Sequence, residues 1–424
     1  MLANLTTPLL GIVATSAIGR LGEATLLGGV AMAAFAFDCL FWLFSFLRMG
    51  TVALTAQSFG ARDSREIRAV LVRALILAAA GGALLLALQI PLGATIFGLM
   101  GGSEAMTAVA KQYFAIRMWA APFALANYAL LGWFIGQARA RTALGLQIAI
   151  NLVNIAGNLL LVVLLHGGVA GAASAALIAE TVGCCAGLVA AWRLVGGHLD
   201  GIAATLFDRT KLVRMLSVNR DIMIRTALLI AGLFFFTTQG ARAGDVTLAT
   251  NAVLYNFLLI GSFFLDGLAN AAEQLCGQSI GARDGKAFSQ ATRLILLWSF
   301  GFAAALSLAF LSLNGLLIEL MTTNAAVRQA AREFVVLAAL APITGAMAYC
   351  FDGIFIGATW TRDMRNLMIA ALLMYLASWY LLTPLGNTGL WLAMLVFQLS
   401  RGLLQALRFP ALKRRTFAGP PSSS

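Results

Sequence analysis

Five carboxylates sit inside apolar runs of this chain: Asp38 and Glu180 in the first half, then Asp266, Glu273 and Asp352 in the second. An acid placed in lipid costs at least about 2.5 kcal/mol, and such acids tend to be functional. Asp266 and Glu273 are seven residues apart, so they share one helix face. Asp352 is followed by Gly353 and Gly357, small residues that let a neighbouring helix approach closely. Desolvation disfavours the charged form of a lone carboxylate, which suits it to bind and release protons. With hydroxyls and carbonyls around it, Asp352 could instead hold Na+. The competing reading pairs each acid with a base and leaves it a packing role; Arg48 and Arg401 are the bases set within helices. Function is the reading for Asp352. Asp266 and Glu273 stay open between the two, and packing is the reading for Asp38 and Glu180.

Amides form a second group. Steps of three and four put Asn151, Asn154 and Asn158 on one helix face. They could line a polar cavity or bond between helices. Tyr255, Asn256 and Phe355 are further cavity candidates, since aromatic faces attract flat cations. Pro122 and Pro342, with Gly353 and Gly357, are candidate hinge positions. The two histidines, His166 and His198, lie far apart, and the five cysteines form no CxxC pair. No zinc, haem or nucleotide signature is present, so no metal site, no cofactor and no enzyme are expected.

The elements that hold these residues follow from composition. Hydrophobic residues make up 61% of the 424 and charged residues only 11%, where a soluble domain carries about 25%. Mean hydropathy is +0.89. Lipid must be the solvent, and runs of this length that do not alternate are helices. Twelve are expected: about 2–19, 26–59, 70–100, 108–137, 144–165, 169–195, 222–241, 246–280, 288–320, 326–359, 366–385 and 388–407. A net charge of +12 fits loops facing the cytoplasm and anionic lipid better than nucleic acid. Of 29 Lys and Arg, only Arg20, Lys111, Arg117, Arg242, Arg328 and Arg332 fall on the opposite side. Both termini are therefore expected in the cytoplasm.

The chain repeats itself. Gln57–Ser58–Phe59–Gly60–Ala61–Arg62–Asp63 returns as Gln278–Ser279–Ile280–Gly281–Ala282–Arg283–Asp284, an offset of 221. Gly132–Trp133–Phe134–Ile135–Gly136 returns as Gly353–Ile354–Phe355–Ile356–Gly357 at the same offset. The expected organisation is an all-α polytopic membrane protein of twelve transmembrane helices in two six-helix lobes related by a parallel repeat. The first lobe is 1–195 and the second 222–409. Between them, 196–221 reads as an amphipathic linker on the cytoplasmic surface. The basic, Pro/Ser-rich tail 410–424 reads as disordered.

On these residues the chain resembles the multidrug and toxic compound extrusion (MATE) transporters, within them the branch of DNA-damage-inducible protein F. The residues that carry the likeness include Pro8–Leu9–Leu10–Gly11, Leu47–Arg48–Met49, Asn219–Arg220–Asp221–Ile222–Met223, Asp266–Gly267 and Asp352–Gly353. The resemblance implies the MATE fold and alternating access. It also implies export of small amphipathic or cationic organic substrates against inward H+ or Na+. A monomer in the bacterial inner membrane is expected. The resemblance gives Asp352 a cation-coupling role, with Glu273 and Asp266 beside it. Two positions depart from the family: Ala14 stands where an aspartate is usual, and Asn158 where another often is. The family also has about half a helix before Met1, so the first helix is expected to be truncated. A lipid-precursor flippase and a degenerate copy are the alternatives.

Overall fold

The computed structural model describes residues 24–197 and 203–418, and these are helical almost throughout. The first expected helix, with Ala14, and the last six residues lie outside them, as does part of the expected linker. Two compact units result, Leu2–Asn219 and Arg220–Ser424.

The first unit holds α1 (Ala24–Leu43), α2 (Phe46–Gly60), α3 (Ser64–Ala87), α4 (Gln89–Met100) and α5 (Glu104–Arg117). It continues with α6 (Ala121–Gly136), α7 (Ala140–Asn158), α8 (Gly168–Val195) and the single turn α9 (Ala203–Leu206). The long helix α10 (Arg209–Arg242) runs through the point of division. The second unit continues with α11 (Asp245–Gly281), α12 (Gly285–Met321), α13 (Ala325–Gly357), α14 (Thr361–Leu382) and α15 (Gly386–Phe417). Among the described residues, ten stretches are long and apolar enough to cross a membrane. The longest, Thr361–Phe417, contains both α14 and α15. With the helix expected at 2–19, these stretches are consistent with twelve crossings.

Each unit has its own apolar core. Phe37, Phe97, Tyr113, Phe114 and Leu125 pack in the first; Phe257, Phe310, Tyr375, Trp391 and Phe397 pack in the second. Large apolar side chains also face outward, Leu99 at 83% exposure and Ile90 at 80%. Such a surface requires lipid.

Several expected boundaries move. The second helix breaks at Phe44–Ser45, and the third bends at Leu88. The fourth divides at a 3-10 turn, Met118–Ala120. Pro122 causes that break: it lies in the first turn of α6, where a missing N–H costs nothing. Pro342 instead stays inside α13, where it removes one ladder hydrogen bond.

The linker and the tail are corrected more deeply. Residues 209–219 form the start of α10 rather than a separate surface helix. Met215 and Val218 are buried, and Lys211 pairs with Glu66 at 2.7 Å. Arg73 donates to the carbonyls of Thr205 and Leu206, which pins α9. The expected disordered tail is helical as far as Phe417. Leu412 is buried, Phe417 packs on Phe288 at 5.3 Å, and Trp360 donates to the Thr416 hydroxyl. Apolar Leu412 and Phe417, spaced five apart among charges, outweigh the basic composition. A chain ending at Phe409 is therefore expected to lose about 2 kcal/mol or more of stability, read as a lower thermal unfolding midpoint in detergent. An unchanged midpoint would restore the dispensable tail.

The repeat is visible in the backbone. Arg62 and Arg283 both adopt left-handed φ, +56° and +54°, as do Ala138 and Thr359 at +61° and +55°. In each case a helix ends in a Schellman turn: Asp63 N–H donates to the Ser58 carbonyl and Asp284 N–H to that of Ser279. The aspartate then caps the next helix. Asp63 accepts from Glu66 N–H, and Asp284 from Lys286 N–H and Ala287 N–H. Asp63→Ala and Asp284→Ala should each cost about 1 kcal/mol, measurable by thermal unfolding.

Candidate functional site

Asp352 is the centre of a buried charge network in the second unit. It lies near the end of α13 and is 4% exposed. Its Oδ2 accepts from Arg225 of α10 and, at 2.7 Å, from Arg401 of α15. Its Oδ1 accepts from the Gln405 amide at 2.8 Å. Arg401 also donates to Gln398 at 2.6 Å and lies over the rings of Phe397 and Tyr349 at 5.6 and 5.8 Å. The Tyr349 hydroxyl bonds that of Ser262 on α11. Asp266, one turn further along α11, acts electrostatically on Tyr349.

Arg401, one of the two bases expected within helices, does pair with Asp352, and Arg225 joins it. Two guanidiniums and an amide occupy both of its oxygens. A Na+ ion at Asp352 would meet two positive charges in this arrangement. Arg225 lies one turn into the helix expected at 222–241, and the helix in fact starts earlier, at Arg209, so Arg225 is buried about four turns inside it. Arg117 similarly lies within the stretch Glu104–Gly136 rather than in an outer loop. Sequence held a usable signal for the rest: Gln398, Arg401 and Gln405 are spaced three and four apart on one face of an apolar helix.

Glycines set the spacing around the network. A Cβ on Gly353 would lie 2.4 Å from the Ala269 carbonyl oxygen, and one on Gly357 2.4 Å from that of Glu273. The first unit repeats the contact: Gly132 faces the Arg48 carbonyl at 2.5 Å and Gly136 that of Val52 at 2.8 Å. All four contacts obey the offset of 221. Glu273, 1% exposed, is thus locked into the seam between α11 and α13.

The other candidates divide. Phe355 is wholly buried, in an aromatic group with Phe351 and Trp360, so it is packing rather than cavity lining. Tyr255 packs partly against the core of its unit. The exposed Asn256 turns its amide back to the Ala252 carbonyl of its own helix. Asn151, Asn154 and Asn158 share a buried face of α7 as expected. Their bonds run along the helix: Asn158 donates to the Asn154 side chain at 2.8 Å, and Gln147 to Asn151 at 3.4 Å.

The comparisons agree with this architecture. The MatE family model matches residues 1–160 and 222–381, two segments separated by the same offset. The DNA damage-inducible protein F of Escherichia coli (strain K12) is 39% identical over 404 residues, 95% of this chain and 88% of that protein. Protein DETOXIFICATION 45, chloroplastic, of Arabidopsis thaliana is 25% identical, over 92% of this chain and 73% of that one. Among solved structures, a MATE protein in its bent conformation superposes with TM-score 0.88 at 20% identity, covering 98% and 94% of the two chains. An outward-facing multidrug resistance MATE family transporter gives 0.86 at 20%, covering 98% and 94%.

Fold and match together define a multi-pass membrane transporter, not an enzyme. The chain belongs to the MatE family.

Proposed function

We propose that the protein is a secondary antiporter of the bacterial cytoplasmic membrane, with both termini inside. It exports amphipathic or cationic organic compounds in exchange for inward H+, by alternating access. The observation that carries this is the Asp352 network. One carboxylate ties α10, α13 and α15 together through charge. In this arrangement Arg225 and Arg401 hold Asp352 charged, so it would take up a proton only in a second state in which they have moved off it. The three helices are tied in one state and released in the other. A carrier needs such a difference between states, because a ligand shifts an equilibrium only by its differential affinity. Asp266 and Glu273, on the adjoining helix, are the proposed further carriers of charge. Asn151, Asn154 and Asn158 are proposed to contribute polarity on the substrate side of the first unit.

A second reading gains from Arg225 and Arg401: buried guanidiniums suit the anionic headgroup of a lipid-linked precursor. Asp352 already engages both, which favours the antiporter. Coupling is reciprocal, so an ethidium gradient imposed on proteoliposomes should drive protons the other way, read by a trapped pH dye. No pH change, with the protein folded, would remove the proposal and leave a flippase or a degenerate copy.

A further inference from the structure

Glu180 of α8 makes a different environment from Asp352. Its Oε2 accepts from the Asn127 Nδ2 of α6 at 2.7 Å, and the same nitrogen donates to its backbone carbonyl at 3.0 Å. Asn127 is 2% exposed, and its Oδ1 is buried with no hydrogen-bond partner. Arg117 of α5 acts on Glu180 from a distance. It is bonded elsewhere, to the Tyr113 hydroxyl at 2.8 Å, and lies over the Phe37 ring at 5.1 Å. The other groups facing Glu180 are Tyr128 of α6 and Cys184 on its own helix, with Asp38 of α1 acting on Arg117 and Tyr128, and Arg48 of α2 on Tyr128.

A guanidinium has donors and no acceptor, so it satisfies only a charged carboxylate. An amide has both. Ionised Glu180 accepts from Nδ2, as observed. Protonated Glu180 would donate its O–H to Oδ1 after a half-turn of the amide, and Oδ1 is the buried atom left without a partner. We propose that Glu180 is a proton-carrying carboxylate of the first unit, with Asn127 as the amide that satisfies it charged and neutral. This rests on the antiporter reading and adds a second ionisable site to it. The step is a simple exchange: the carboxylate takes a proton from water, and the arriving organic cation expels that proton back to water. Glu180 is partly exposed, whereas Asn127 is enclosed. Glu180 also stands at the repeat position of Arg401, so the two units carry opposite charges at equivalent places.

The test uses the purified full chain in weakly buffered detergent with a pH indicator and ethidium as probe. Wild type should release protons on binding ethidium. E180Q should still bind it, with release reduced several-fold, and E180D should restore release. Release from E180Q equal to wild type, or none from wild type, overturns the proposal. Should E180Q not fold, N127L decides: the pH profile of release must be displaced relative to wild type, and an unchanged profile overturns the site. Proton-driven ethidium efflux by wild type in proteoliposomes is measured alongside. If that efflux is intact while E180Q releases normally, this inference alone fails; if wild-type efflux is absent, the antiporter reading fails with it.

Discussion

Asp352→Asn is expected to lower stability by about 3–5 kcal/mol and to abolish proton-driven efflux. The magnitude follows from what remains. Arg225 and Arg401 would stay buried, 5% and 2% exposed, facing an amide in place of a carboxylate. Breaking a buried pair by removing one partner costs that much because a charge is left uncompensated. Two guanidiniums share this acid, so the upper end of the range applies. The effect must also be non-additive. Arg401→Gln alone removes one of the two cations, and the double variant should lose far less than the sum of the singles. Thermal unfolding of the four proteins in one detergent reads this directly. Additive losses would mean that the ion pairs do not form in the folded protein. Efflux assays then need a variant that folds, for which the double variant is the natural choice.

Gly357→Leu should be at least as damaging. The obstacle is the Glu273 carbonyl oxygen, 2.4 Å from the position of a new Cβ. Backbone in a helix cannot step aside as a side chain can, so α11 and α13 must separate. Overpacking costs about 1–3 kcal/mol where the core can adjust, and a forced separation along this seam exceeds that. Gly353→Leu meets the Ala269 carbonyl in the same way. Gly301 and Gly315 are the controls, since nothing lies within 4 Å of a Cβ there. Gly301→Ala should be neutral or stabilise by up to about 1 kcal/mol through helix propensity. Equal losses at Gly357 and Gly301 would contradict the close seam.

The repeat was legible because its marks are local. A Schellman turn needs a particular run of residues at a helix end, and a glycine seam needs small residues four apart. Both survive duplication at a fixed spacing, so the Gly132–Arg48 and Gly353–Ala269 contacts follow the offset of 221. Pairing was legible only in part. Nothing in sequence distinguishes Arg225, inside a helix, from Arg220, five residues earlier on its exposed side. Both lie in α10, and Arg225 falls on its buried face while Arg220 falls on its exposed one. For this reason sequence offered Arg401 as a base for Asp352 and missed Arg225. The tail failed through composition, because Lys413–Arg415 hides Leu412 and Phe417, which give the helix a partner. Asn127 was invisible as a site residue, since one amide in an apolar helix carries no spacing. Its role appears only with Glu180 beside it.

The central claim is that proton flow drives export, and one measurement addresses it. Proteoliposomes loaded with ethidium receive an imposed pH gradient, or an imposed Na+ gradient at constant pH, and ethidium loss is followed by fluorescence. Loss driven by the pH gradient and absent with Na+ alone is the predicted result. Loss driven by Na+ alone, or the same slow leak under both gradients from correctly folded protein, would contradict it.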